Sequence, residues 1–295
     1  MADRRPRRKS SSDSSRRNTP LRNGLSILPS LFTIGNIFCA YYSVMSTLNG
    51  KYDYAAIAIG VGYILDGLDG RVARLTGTNS EFGAQLDSLA DVLTFGIAPA
   101  LLAFSWGINW MGGGRDIPVE ALNPVVRHIR SGGWLMTFAF VICGALRLAR
   151  FNVMAQRPVD ASAKRYFVGL PIPAGAGLLA AVVHYWNGEP ISNPGSALLW
   201  CLLIGLTAFL MISTVRYHNF KEVGIFSRRP RVTLVVAAMT IALIFRHSEE
   251  MLLLLSVAYV SSGPIARLTQ MVRRLPLSGK ANRERSAVDV PPREL

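Results

Sequence analysis

Residues 64–96 read ILDGLDGRVARLTGTNSEFGAQLDSLADVLTFG, and this stretch decides how the rest of the chain is understood. Four carboxylates, Asp66, Asp69, Asp87 and Asp91, stand at the facing ends of two apolar runs. An ionised Asp near hydrocarbon costs roughly 2.5–3.5 kcal/mol on insertion scales. Four such groups also repel one another, so a positive partner must offset both terms. The spacing indicates which partner. Asp66 and Asp69 are i,i+3 and Asp87 and Asp91 are i,i+4, so each pair lies on one face of its helix. A short loop joins the helices, which allows an antiparallel hairpin and convergence of all four groups. An all-oxygen ligand set suits a hard cation such as Mg²⁺ or Mn²⁺, and four carboxylates suffice for two ions and phosphoryl chemistry. Gly67, Gly70 and Gly83 clear space around the carboxylates for a ligand, and Arg74 is placed to pair with a diphosphate. Capping or local ion pairs with Arg71 and Arg74 account for one or two such aspartates, not for four with three glycines.

Outward from this hairpin the chain is apolar in long runs. Half of its 295 residues are hydrophobic, yet its formal charge is +14. The bases flank the apolar runs, so anionic lipid headgroups are their simplest partner and a nucleic-acid function is set aside. About eight spans are expected: 25–48, 53–74, 85–106, 133–150, 170–186, 197–214, 232–245 and 250–267. The seventh is the shortest. With a cytoplasmic amino terminus, 27 of the 32 Lys and Arg residues fall on the inner side. That bias orients the chain with both termini cytoplasmic. The five tryptophans, Trp106, Trp110, Trp134, Trp186 and Trp200, fall near outer span ends, where headgroup-level anchoring is expected.

The fold class is therefore an all-α polytopic membrane bundle. Residues 1–23 form a basic, Arg/Ser-rich tail expected to be disordered, 24–268 one membrane domain, and 269–295 a polar basic tail. The outer segment 107–132, with three consecutive glycines, reads as a loop with room for a short interfacial helix. Cys39, Cys143 and Cys201 lie singly inside apolar runs and read as packing residues, without zinc or structural disulfides. His184, at an outer span end, and His218, in an inner loop, read as interface residues.

The pattern Asp66-x2-Asp69-Gly70-x2-Ala73-Arg74-x8-Gly83-x3-Asp87-x3-Asp91 resembles the signature of the CDP-alcohol phosphotransferase family at every specified position. Within that family the segments LPSLFT (28–33), GTNSEFG (77–83), ALRLARFN (145–152) and GLPIP (169–173) resemble the bacterial membrane-integral phosphatidylserine synthases. Ser30 departs from the Asn that relatives often carry there, and no ligand role is carried to it. The resemblance implies a bacterial inner-membrane enzyme, commonly homodimeric, that moves a phosphatidyl group from CDP-diacylglycerol to L-serine and releases CMP. It implies metal ligation by Asp66, Asp69, Asp87 and Asp91, with Asp91 also the general base. Gly70, Arg74 and Ser80 would contact the CDP moiety, and Thr33 and Asn36 are further nucleotide candidates.

Serine needs a cation for its carboxylate and an acceptor for its ammonium. Arg147, Arg150 and Asn152, at the inner end of the fourth span, are the candidates, with lipid-phosphate anchoring as the competing role. Arg216 and Lys221 are further choices. Two alternatives stand beside this reading. One is transfer to glycerol 3-phosphate or inositol phosphate within the same family. The other is a divalent-cation transporter, against which the clustered aspartates lie at one face and none lies mid-span in any other helix.

Overall fold

The computed structural model describes residues 27–76, 81–109, 123–155, 166–218 and 230–274. Among these the helices are α1 (Ile27–Leu48), α2 (Tyr52–Thr76), α3 (Glu81–Asp91), a π-helical segment (Val92–Ile97), α4 (Ala98–Gly107), α5 (Pro124–Ala155), α6 (Ile172–Tyr185), α7 (Pro194–Ile212), α8 (Pro230–Arg246) and α9 (Ser248–Arg274). Two three-residue strands, β1 (Tyr166–Val168) and β2 (Arg216–His218), pair antiparallel. They add a small non-helical clasp to an otherwise helical bundle.

Counting α3, the π segment and α4 as one unit, the helices match the eight expected spans one for one. Five are long and apolar enough to cross a membrane by length and composition, within α1, α3–α4, α5, α7 and α9. α6 and α8 are shorter apolar helices. Leu199, Leu202, Leu206 and Phe209 repeat at helical spacing along α7 and are all exposed. A bundle with such apolar outer faces, joined by helices of this length, is a multi-pass membrane protein.

Local chemistry sets the element ends. α1 stops at Asn49-Gly50, where Gly50 takes φ +74° and Lys51 N donates to Ser46 O at 2.8 Å. Pro194 begins α7, and the Asn193 side chain accepts from Gly195 N at 2.9 Å. The first satisfies a carbonyl that the end of α1 leaves open, and the second a donor left open at the start of α7. The π segment has a cause in the sequence too. Pro99 has no N–H to offer the Phe95 carbonyl, and its ring crowds that carbonyl. Just before it, Ala98 N donates to Leu93 O, five residues back, so the helix widens there. Such widened turns occur often at functional sites.

α6 is the central helix, with Ile172, Ala176, Leu178, Leu179, Ala180 and Val183 all buried. It packs on α2, α4 and α9. Two polar layers bracket this core. At one end His184 Nδ1 lies 2.5 Å from Asp53 Oδ1, and His184 Nε2 lies 3.0 Å from Ser248 Oγ, so one imidazole ties α2, α6 and α9 together. At the other end lie the Asp66–Asp91 hairpin and the β1–β2 clasp. There Gly169 N donates to Val215 O at 2.8 Å. Tyr217 OH donates to Val260 O at 3.2 Å, and burial beside Tyr259 pushes this phenol up to about 12, so it remains a neutral donor.

Three expectations need correction. Trp106 and Trp200 do not sit at a headgroup interface. They are 1% and 4% exposed, pack edge to face at 5.1 Å, and Trp200 Nε1 donates to Ala103 O. The carbonyl partner suits the Trp200 indole to a core and the ring contact fills it with Trp106, whose own Nε1 has no partner among the described residues; span-end position alone reveals neither. Trp134 and Trp186 are exposed, and Trp110 lies outside the described residues. Second, α5 starts at Pro124 instead of near Gly133. Gly132-Gly133 does not break it, because a Cβ on Gly133 would lie 2.5 Å from the Ile108 side chain; glycine lets α5 approach the end of α4. Third, α9 continues to Arg274, past the expected start of the polar tail at residue 269. The tails 1–26 and 275–295 lie outside the described residues.

Candidate active site

The site is built on the hairpin of α2 and α3. Carboxylate oxygens of Asp66, Asp87 and Asp91 all lie within 4.8 Å of one another. Asp66 and Asp91 are half-buried, and Asp91 Oδ1 is fully enclosed with no hydrogen-bond partner. An enclosed carboxylate oxygen facing two further carboxylates is a costly arrangement unless a cation joins them. The donor set is all oxygen, so the fit is to a hard divalent ion.

Asp69 stands beside this trio. It is buried, and its Oδ2 accepts a hydrogen bond from Thr33 Oγ1 of α1. Thr33, expected as a nucleotide contact, thus has its hydroxyl turned to a carboxylate. Asn36, one turn further along α1, is 1% exposed, and neither amide atom has a partner. It packs against Gly62 of α2 and Thr94 of the π segment, and Thr94 Oγ1 donates to the Asn36 carbonyl at 3.1 Å. α1, α2 and the π segment are therefore interlocked directly beneath the carboxylates. The backbone at Gly70 is exposed at the mouth. Arg74 lies on the last turns of α2, but its side chain is outside the described set, as is Ser80 altogether.

The fourth expected span supplies the opposite wall. Asn152 Nδ2 donates to Ser88 Oγ at 3.0 Å, and Ser88 in turn donates to Ala84 O. This clips α5 to α3 between Asp87 and Asp91. Arg150 Nη2 donates to Val168 O at 2.8 Å, which holds the β1–β2 clasp. Arg147 differs from both. It is 8% exposed, lies over the Phe151 ring at 5.7 Å, and is within electrostatic reach of Asp91 and Tyr259. Of the three residues expected to bind an amino-acid acceptor, Arg147 is the one that is buried and within electrostatic reach of Asp91. Arg150 and Asn152 make structural bonds.

Two components of the site were not singled out from sequence. Ser88 gives no signal beyond its place between two aspartates. The π segment has one readable sign, the proline eight residues after Asp91.

Residues 26–206 match the family described as CDP-alcohol phosphatidyltransferase. The chain belongs to that family. The match includes the whole hairpin, α5 and α6. Among curated proteins the chain is similar to the CDP-diacylglycerol–serine O-phosphatidyltransferase of Helicobacter pylori, at 35% identity over 251 residues, which is 85% of this chain and 95% of that protein. The enzyme of the same name from Mycobacterium leprae is 30% identical over 82% of this chain and 75% of its own length. That from Saccharomyces cerevisiae is 40% identical over 52% of this chain and 51% of its own.

Proposed function

We propose that this protein transfers the phosphatidyl group of CDP-diacylglycerol to the hydroxyl of L-serine, giving phosphatidylserine and CMP. The observation that carries the reading is the convergence of Asp66, Asp87 and Asp91, with the buried Arg147 within electrostatic reach of Asp91. The names of the relatives support the choice of donor and acceptor. Asp66, Asp69, Asp87 and Asp91 would hold two Mg²⁺ or Mn²⁺ ions, which would supply Lewis-acid neutralisation of the diphosphate charge.

The chain's own residues do the rest. Asp91 takes the proton from the serine hydroxyl. The serine oxygen forms a bond to the lipid-linked phosphorus, and the bond from that phosphorus to CMP breaks. Arg74 and the open backbone at Gly70 receive the nucleotide phosphates, with Ser80 beside them. Arg147 pairs with the serine carboxylate. Thr33 holds Asp69 in place, and Asn36 and Thr94 fix the floor. Asn152 and Arg150 position the wall that carries Arg147. Direct attack needs no covalent phosphatidyl-enzyme.

On this reading the protein works as a homodimer in the bacterial inner membrane, with the hairpin facing the cytoplasm where serine is dissolved. The tally of 27 basic residues among 32 on that side supports the orientation. A cation-transport path finds no support: the acidic groups of the described spans lie at the two ends, and none lines the bundle between.

The deciding experiment supplies membranes containing the protein with CDP-diacylglycerol and labelled serine, and in parallel with labelled glycerol 3-phosphate. Lipid product from serine alone is expected. Product only from glycerol 3-phosphate refutes the acceptor, and metal flux without lipid product refutes the enzyme.

A further inference from the structure

A second concavity lies away from the carboxylates, between α5, α7 and α9. It is a groove of about 500 Å³, within the size range of small-molecule sites. Its walls are apolar because small residues face one another: Ala139 and Cys143 on α5, Gly205 and Ala208 on α7. At one end the lining changes. Ser213 and Thr214, just after α7, and Arg267, near the end of α9, are the polar groups there, and the Ser213 hydroxyl is already committed to Leu210 O at 2.8 Å. Arg267 is exposed and makes no ion pair with any described residue.

The ends of the helices fix the groove's depth. α9 begins at Ser248 in the His184 layer, so Arg267 lies toward the opposite end, the level of the Asp hairpin. Thr214 adjoins Val215, whose carbonyl accepts from Gly169 at that same end. The groove therefore runs from mid-span depth to the headgroup level and ends on a cation with no ion-pair partner among the described residues. An acyl chain fits the first part, and a phosphate with its negative charge fits the second.

We propose that this groove is a binding site for an anionic glycerophospholipid of the surrounding leaflet, one chain between α5 and α7 and its phosphate on Arg267 and Thr214. The charge complementarity selects an anionic lipid over a zwitterionic one. The proposal does not depend on which acceptor the enzyme uses.

The test reconstitutes the full chain in phosphatidylcholine discs containing a trace of phosphatidylglycerol with a photoreactive acyl chain. After illumination, the labelled peptides are mapped by mass spectrometry. Label is expected on the peptides holding Ala139–Cys143 and Gly205–Ala208. Arg267→Gln is expected to lower the yield about tenfold, the value of one charge-assisted contact. Ala139→Leu fills the groove and is expected to remove the label, with phosphatidyl transfer retained in both variants as the sign of folding. Three results overturn the proposal, and none of them needs a variant. Photoreactive phosphatidylcholine labels the same peptides equally well. Excess CDP-diacylglycerol displaces the label, which makes the groove part of the substrate site. Oxidation links two chains through Cys143, which makes this face a contact between copies.

Discussion

Gly62→Ala is the smallest change that tests the floor of the site. Gly62 sits one turn before Asp66 on α2, against α1 and the π segment. A Cβ there would lie 2.7 Å from Thr94 Cγ2 and 3.0 Å from Asn36 Oδ1. Carbon atoms rest at about 3.5–4.0 Å, so the helices must part by about 1 Å. Thr94 cannot simply turn away, since its hydroxyl donates to the Asn36 carbonyl at 3.1 Å. Overpacking of this kind costs about 1–3 kcal/mol, while replacing a mid-helix glycine with alanine returns up to about 1 kcal/mol. The net loss of stability is then modest, about 1–2 kcal/mol. The loss of rate is larger, because a displacement near 1 Å at reacting groups costs on the order of a hundredfold. Thr94→Ser removes the clashing methyl and keeps the hydroxyl. The double variant Gly62→Ala/Thr94→Ser is therefore expected to recover most of the rate, with a coupling of about 1–2 kcal/mol. The assay pairs thermal unfolding in detergent with CMP release per folded molecule. Full activity in Gly62→Ala, or strictly additive effects in the double variant, would refute this account of the floor.

Other outcomes follow from the same geometry. Asp91→Asn is expected to reduce CMP release by about 10²–10⁴-fold, the usual worth of a general base, while CDP-diacylglycerol still binds in a direct binding assay. Arg147→Ala should raise the KM for serine about tenfold or more and leave that for CDP-diacylglycerol nearly unchanged, as steady-state kinetics with each substrate varied will read. Chelation of divalent cations should abolish turnover, and titrating back Mg²⁺ or Mn²⁺ should restore it. His184→Ala removes both bonds of the opposite polar layer, so the unfolding midpoint should fall, by about 1–3 kcal/mol in stability, with little change in the rate per folded molecule.

The carboxylate hairpin was legible in the sequence because two constraints coincide there. Charges inside apolar runs are costly, so their presence needs a cause, and helical spacing then states which face they share. Spans were legible for the same reason, since twenty apolar residues have few other uses. What escaped notice depends on contacts between distant segments. The exposure of Trp106 is decided by Trp200, and the persistence of α5 through Gly132-Gly133 is decided by Ile108. His184 reads alone as an interface residue. Only folding brings Asp53 and Ser248 to its two nitrogens. The two arginines among the acceptor candidates were equivalent as chemistry, and only the fold separates Arg147, which is buried within electrostatic reach of Asp91, from Arg150, which bonds a carbonyl.

The bond between Thr33 and Asp69 has a consequence for how the protein is made. Thr33, Asp66, Asp69, Asp87 and Asp91 all precede Gly107, so the first three spans contain the whole carboxylate knot and its α1 partner. A chain emerging from the ribosome amino terminus first can close that knot before α5 exists. Arg147 and Asn152 arrive one span later and dock onto a finished platform. Synthesis order thus lets roughly the first third of the polypeptide assemble the acidic cluster before the helix that carries Arg147 and Asn152 is made.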